Sequence, residues 1–199
     1  MSNWYAVNTS SLNPWNQPLA DVYHNTYTDY NAWLFYTVMK SYDNTIEDAA
    51  IAGIAGNILY ESIFNPQEKQ NNGPAYGLIQ WDPKSDLTSV VPSGWDYTDG
   101  DSQTWVIYNE IIGVISGRFF ANHGYNYSGA QFLLLTNEVE AARAYFWERE
   151  RGPWNNLRET FASYFYALYT GGTPPTPPPE PPSTEDDVYP ALLLLQLIK

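Results

Sequence analysis

"TIEDAAIAGIAGNILYES" (Thr45–Ser62) is the stretch whose reading decides the fold. Ile51, Ile54, Ala55, Ile58 and Leu59 follow the i, i+3, i+4, i+7, i+8 spacing of one helix face. Thr45, with Asp48 three residues on, has the spacing of a capping box at the start of that helix. Gly53 and Gly56 mark another face, where a neighbouring helix can come close, at a cost of about 1 kcal/mol each in helix propensity. With Ile51 at the centre of the buried face and about 100° per residue, Ile58 lands close to it and Ile54 about 60° to one side. Glu61 falls about 80° to that same side, at the border of the apolar stripe.

A carboxylate half-buried against aliphatic side chains has its charged form disfavoured, which is the condition a general acid requires at neutral pH. On position alone, an ordinary solvated or capping glutamate is the simpler reading. A glutamate at a helix C-terminus is nevertheless badly placed for structure, because the dipole there prefers cations. The adjoining stretch is also unusual. "SIFNPQEKQNNGPAYGLIQWDP" (Ser62–Pro83) is an irregular loop rich in Asn and Gly that closes on Tyr-Gly-Leu-Ile-Gln-Trp.

Working outward, the pattern from Asp29 to Tyr169 is helical. "DYNAWLFYTVMKSY" (Asp29–Tyr42) predicts one helix. Another carries Trp105, Tyr108, Ile112, Ile115 and Phe119 at spacings of 3, 4, 3 and 4. Asn137 with Glu140 caps a segment running through "EVEAARAYFWERE" (Glu138–Glu150). A last helix shows Leu157, Phe161, Tyr164 and Leu168. No convincing alternating strand pattern occurs, although "PAYGLIQW" (Pro74–Trp81) has the makings of a short hairpin arm. The expected class is all-α.

The chain has 199 residues, enough for one domain with appendages. Aromatics make up 17%, with 8 Trp and 17 Tyr. Most read as filler of a helical core, but their apolar body and polar tip also suit a surface that grips a sugar ring. Net charge is −13, which argues against nucleic-acid binding, since phosphate contact needs clustered Lys and Arg. Anionic membrane surfaces are disfavoured for the same reason. There is no cysteine, and neither His24 nor His123 has a partner at ligand spacing, so no metal and no cofactor are expected. The N-terminus has no basic region followed by an apolar run, so no secretory signal is read; work outside a cell would need another export route.

Four regions are expected: an N-terminal extension (1–28), the helical domain (29–170), a linker (171–187) and an apolar C-terminal peptide (188–199). The linker, in "TGGTPPTPPPEPPSTEDD", is Pro-rich and acidic and expected to be extended and disordered. The terminal "VYPALLLLQLIK" is too short to span a bilayer. It reads as a docking peptide or as part of something longer in preference to a membrane anchor.

"ESIFNP" followed by "YGLIQW" resembles the signature of lysozyme-like muramidases and lytic transglycosylases. In these a helix ends in Glu-Ser, a loop follows, and a Gly-Leu-x-Gln segment walls the sugar cleft. The longer "AIAGIAGNILYESIFNP…YGLIQWDP" is most similar to the phage tail lysozymes, as are "AYFWERERGP" and "ASYFYALY". The resemblance spans about Asp29 to Tyr169. It implies an all-α lysozyme-like fold with cleavage of the β-1,4 bond between N-acetylmuramic acid and N-acetylglucosamine.

Glu61 would then protonate the glycosidic oxygen; lysozyme itself tunes a glutamic acid by burial. Tyr76, Gln80 and Trp81 would supply stacking and hydrogen bonds along the cleft, and Gly77 would let backbone approach the sugar. For Leu78 core packing is the better reading, and for Gln80 the two readings balance. Two carboxylates normally flank the bond. Asp82 precedes Pro83 and reads as a turn residue, and Asp86 lies further along the loop. Of Glu148 and Glu150, in what reads as an ion-paired helix end, the resemblance favours Glu148. A transglycosylase needs no water-activating base, because the muramyl 6-hydroxyl attacks internally, so both chemistries fit.

The resemblance also implies delivery within a phage tail, with peptidoglycan as substrate and the C-terminal segment as an attachment to other tail proteins. A catalytically silent wall-binding or structural tail module is the alternative from a different class. An endolysin released at lysis is a third, and would more often carry a folded wall-binding domain in place of the linker.

Overall fold

The computed structural model describes residues 2, 4–5, 26–119, 125–150 and 154–178. His24, His123 and the 188–199 peptide lie outside the described residues, as do most of the N-terminal extension and the linker beyond residue 178.

Seven α-helices occur in chain order among the described residues: α1 (Thr26–Tyr42), α2 (Asp48–Ser62), α3 (Ser85–Thr88), α4 (Gly100–Ile111), α5 (Gly129–Phe132), α6 (Glu138–Tyr145) and α7 (Leu157–Thr170). A π-helical turn, Phe146–Glu150, continues α6. No strand forms among these residues. The segment expected as a hairpin arm makes only isolated antiparallel bridges, Lys69 to Tyr76 and Tyr76 to Trp81. The all-α class holds, with no helix long and apolar enough to cross a membrane among the described residues.

α2 is the central helix. It packs most extensively on α7 and α6. Every residue from Ala49 to Leu59 is buried, so the amphipathic stripe of the sequence is in fact a helix enclosed all round. Its small residues make this possible. A Cβ on Gly53 would stand 2.5 Å from the Ala141 Cβ of α6, and one on Gly56 2.4 Å from the Arg158 carbonyl oxygen of α7. The close approach expected of the two glycines therefore serves two different neighbours. The ring cluster Phe35, Phe64, Phe165 and Tyr169 closes the core between α1 and α7.

Two helix ends differ from expectation. Thr45 does not cap α2: its amide and hydroxyl both donate to Asp43 Oδ1, and Glu47 stands at the N-cap without a side-chain bond. α4 stops at Ile111, ahead of Gly113 at φ +79°, so Ile115 and Phe119 lie in turns. Its buried apolar residues are Val106, Ile107 and Ile111, and Ile112 is exposed. The Asn137 cap does form, its side chain accepting from the Glu140 amide at 2.8 Å. Past α7 the chain runs without regular structure, and the Pro178 carbonyl accepts from the Tyr5 hydroxyl.

Candidate active site

α2 ends at Ser62 in an abrupt turn. Ile63 and Phe64 both take left-handed backbone conformations (φ 53° and 57°), which are costly for a β-branched and a bulky side chain. Burial of both side chains, and hydrogen bonds that tie the helix end to the following loop, hold them there. Ser62 Oγ donates to the Leu78 carbonyl at 2.8 Å, and Asn31 Nδ2 donates to the Phe64 carbonyl at 3.0 Å.

Gln103 of α4 holds the loop from the other side. Its Oε1 accepts from the Leu78 amide at 2.8 Å. Its Nε2 donates to the carbonyls of Pro66 and Tyr97 at 2.6 and 2.8 Å. Gly77 sits against this side chain, where a Cβ would come within 2.6 Å of Gln103 Oε1 at a φ of +83°. The glycine thus accommodates a buried glutamine, which corrects the expectation of sugar approach.

Tyr76 and Trp81 frame the loop. Tyr76 is 4% exposed and Trp81 1%, so neither ring offers a face to a sugar. The main chains of the two residues pair with each other at 3.1 and 2.9 Å, and Trp81 Nε1 donates to Glu110. Lys84 lies over the Tyr76 ring at 4.5 Å. The stacking role expected of them is replaced by a structural one, because a loop without strands needs buried rings to fix it. Gln80 is half-buried, at φ +50°, and its Nε2 donates to the Gly77 carbonyl at 2.9 Å.

Glu61 is brought to an arginine the sequence reading passed over. Its carboxylate forms an ion pair with Arg158 Nη2; the Glu61 side chain is 22% exposed and that of Arg158 3%. Arg158 Nη1 donates to Asn57 Oδ1 at 2.9 Å. Asn57 is itself held by the carbonyls of Gly53 and Ala142. The guanidinium lies over Tyr60 at 4.1 Å and Phe146 at 4.9 Å. Thus Glu61 borders not aliphatic side chains alone but a buried, stacked cation. Arg158 stands in the first turn of α7 and Glu61 in the last turn of α2. Each is in the helix end its charge suits least, and each is compensated by the other.

The other candidate carboxylates separate. Asp82 is exposed, and Asp86 pairs with Arg118. Glu148 is fully enclosed in the π-helical turn; its Oε1 accepts from the Asn126 amide at 3.1 Å, and no hydrogen bond or ion pair joins it to Glu61. The ion pair expected of this segment forms through Arg149, not among its neighbours: Arg149 Nε donates to Glu110 Oε2 at 2.7 Å.

The loop is thus braced from α1, α2 and α4, with a partly open glutamate at its root. The sequence profile of the phage tail lysozymes matches residues 30–169, more than half of the chain. The chain belongs to the phage tail lysozyme family. No curated protein sequence matches it. As a phage tail lysozyme it has a lysozyme-like, peptidoglycan-degrading role and is phage-associated.

The match takes in Asn57, Glu61, Phe146 and Arg158, the residues around this lysozyme's Glu61. Arg158 left one mark in the sequence. It precedes Phe161 by three residues and Phe165 by seven, which puts a charge on the buried stripe of α7. A charge there calls for a buried partner. Gln103 left a weaker mark, one polar residue among several in the first turns of α4.

Proposed function

We propose that this phage tail lysozyme is a virion-associated glycosidase that opens the bacterial wall locally during infection. It cleaves the β-1,4 bond between N-acetylmuramic acid and N-acetylglucosamine, with Glu61 as general acid. The observation that supports this reading is the Glu61–Arg158 pair: a partly open carboxylate fixed by a buried cation at the root of the braced loop.

Glu61 donates its proton to the glycosidic oxygen as the bond to the anomeric carbon breaks, and positive charge develops on the sugar ring. Arg158 stabilises the carboxylate that remains once the proton has left. This stabilisation grows along the reaction, which is the kind that accelerates it. Arg158 also locks the carboxylate's orientation through Asn57 and the two rings. Gln80, at the partly open edge of the loop, supplies a polar contact to the glycan. Glu148, bound to the Asn126 amide, anchors the 125–128 segment in this reading. The 188–199 peptide is assigned to attachment to other tail proteins.

The test is clearing of purified peptidoglycan by wild type and Glu61→Gln, with mass spectrometry of the products. Wild type clears and the variant does not. Reducing-end muramic acid identifies a hydrolase, and the 1,6-anhydro product a transglycosylase. If neither protein clears walls while both bind them, the reading is wrong and a silent wall-binding module replaces it.

A further inference from the structure

Three carboxyl groups and two guanidinium groups act on one another behind the Glu61 end of α2. Glu61 comes from α2, Glu110 from α4, Arg149 and Glu150 from the π-helical turn, and Arg158 from α7. Arg149 binds Glu110 through Nε and Nη2 at 2.7 and 3.4 Å, and Glu110 also accepts from Trp81 at 3.1 Å. Arg158 binds Glu61 and Asn57. Both cations are therefore engaged, and Glu150 has neither. Its Oε1 is enclosed with no hydrogen-bond partner among the described residues. The Tyr145 hydroxyl and the Arg158 Nε–H are enclosed without partners as well.

With all three carboxyls ionised the described cluster carries one uncompensated negative charge in a site where Glu110 and the Glu150 Oε1 are enclosed, which is unfavourable. One bound proton balances it. Glu61 and Glu110 each hold a guanidinium, and Glu150 holds none among the described residues, so the proton belongs on Glu150.

We propose that this cluster carries one proton at neutral pH, seated on Glu150 at rest, and that Glu61 delivers this proton to the glycosidic oxygen. Glu150 is thus a positioning residue for the acid. The inference rests on Glu61 being that acid. In the transfer, the O–H bond on Glu150 breaks and one forms on Glu61, so the cluster's charge is unchanged. The Arg158 charge, which already acts on Glu150, then favours the new Glu150 carboxylate. After cleavage, the proton lost by the attacking water or 6-hydroxyl restores the cluster.

Other groups agree. Burial, then the Glu61 charge, push the Glu150 carboxyl up to about 8, with Glu110 adding to the rise and Arg149 and Arg158 opposing it. Burial, then Glu150, hold the Tyr145 phenol well above its usual range. Asp86 sees Arg149 but is neutralised by Arg118.

Two pH series on the full chain test this, with Glu150→Gln as the variant. The first is unfolding by urea. An unfolded glutamate releases its proton near pH ~4.3, while the folded chain keeps that of Glu150 to about 8. Between those values the native state binds more protons, so stability from this group is complete below the window and falls as pH rises through it. Glu150→Gln loses that fall, and its stability relative to wild type climbs through the window and levels above it.

The second series is kcat/KM for wall clearing. In Glu150→Gln the alkaline limb moves at least about one unit toward acid, a loss of roughly tenfold at the pH of the wild-type limb. If the variant does not fold, infrared spectra of wild type decide: the carbonyl stretch of a protonated acid persists at pH 7 and fades above about 8.

Parallel stability curves, or no such band, overturn the buried proton. A variant limb at the wild-type position, with the rate merely scaled, overturns its delivery to Glu61. If wild type clears no wall at any pH, the glycosidase reading and the delivery step fail together. The stability curves still decide separately whether the proton is there.

Discussion

Around Asp96, Asp99 and Asp101, carboxylates face a cavity of about 550 Å³ lined also by Val38, Tyr42 and Trp95. In a second region Glu61 and Glu110 pair with the buried Arg158 and Arg149, and Glu150 lies in the adjoining π-helical turn. The first region has the obvious cavity, yet most of its polar atoms are used close by. Asp96 Oδ1 accepts from the amide and hydroxyl of Thr98. Asp99 caps α4 through the Asp101 amide. Asp101 takes the Ser2 amide and the Trp4 indole, both at 2.8 Å. These aspartates finish a helix and pin the N-terminal residues. In the second region no carboxylate caps a helix. Glu61 reaches a partner 97 positions away and Glu110 one 39 away, and the Glu150 Oε1 reaches none among the described residues. Long-range pairing, and not cavity size, distinguishes the region where we place the reaction.

Four substitutions test that contrast. The largest effect falls on Glu61→Gln, which removes the proposed acid and is expected to lower the clearing rate by about 10²–10⁴-fold. Circular dichroism and urea midpoints stay near wild type, because the amide can still accept from Arg158.

Arg158→Met comes next. It leaves Glu61 charged and Asn57 Oδ1 without its donor in a nearly closed site. The expected loss is about 3 kcal/mol in urea unfolding. Adding Glu61→Gln should return part of it, and a double-mutant cycle measures the coupling. Additive losses would mean that the pair is not a unit.

Gln103→Ala strips three buried backbone groups of their partner. About 2 kcal/mol is expected, with faster proteolysis between residues 64 and 81 and a weaker affinity for glycan.

Asp99→Ala is the control at the other region. Loss of one N-cap costs about 1 kcal/mol, and the clearing rate is unchanged. A large drop in clearing there would overturn the contrast, placing the cavity in the substrate path.

Much of this molecule is legible in one dimension because helices are built from short-range spacing. α2 and α7 follow from apolar periodicity, α1 from one continuous helical stretch, and α6 from the Asn137 cap at a three-residue offset. Where reading failed, a competing local interaction had won. Thr45 prefers Asp43, two residues back, to capping α2. Gly113 at φ +79° ends α4 before its apparent stripe is complete. Trp81 and Tyr76, in the same way, looked like sugar platforms because composition cannot tell which side of a loop is enclosed.

By itself the sequence determined the all-α class, the central helix with its two packing glycines, the irregular loop after it, and a glutamate in a helix end unsuited to it. These depend on residues within one or two turns of each other. Only the tertiary structure decided that Glu61 meets Arg158 and that Gln103 holds the loop. It alone decided that Glu148 turns to Asn126, and that Glu150 pairs with no cation among the described residues. Those choices join α2, α4, the π-helical turn and α7 across the core. A charge makes itself felt through space and burial, and neither distance is written in the order of the residues.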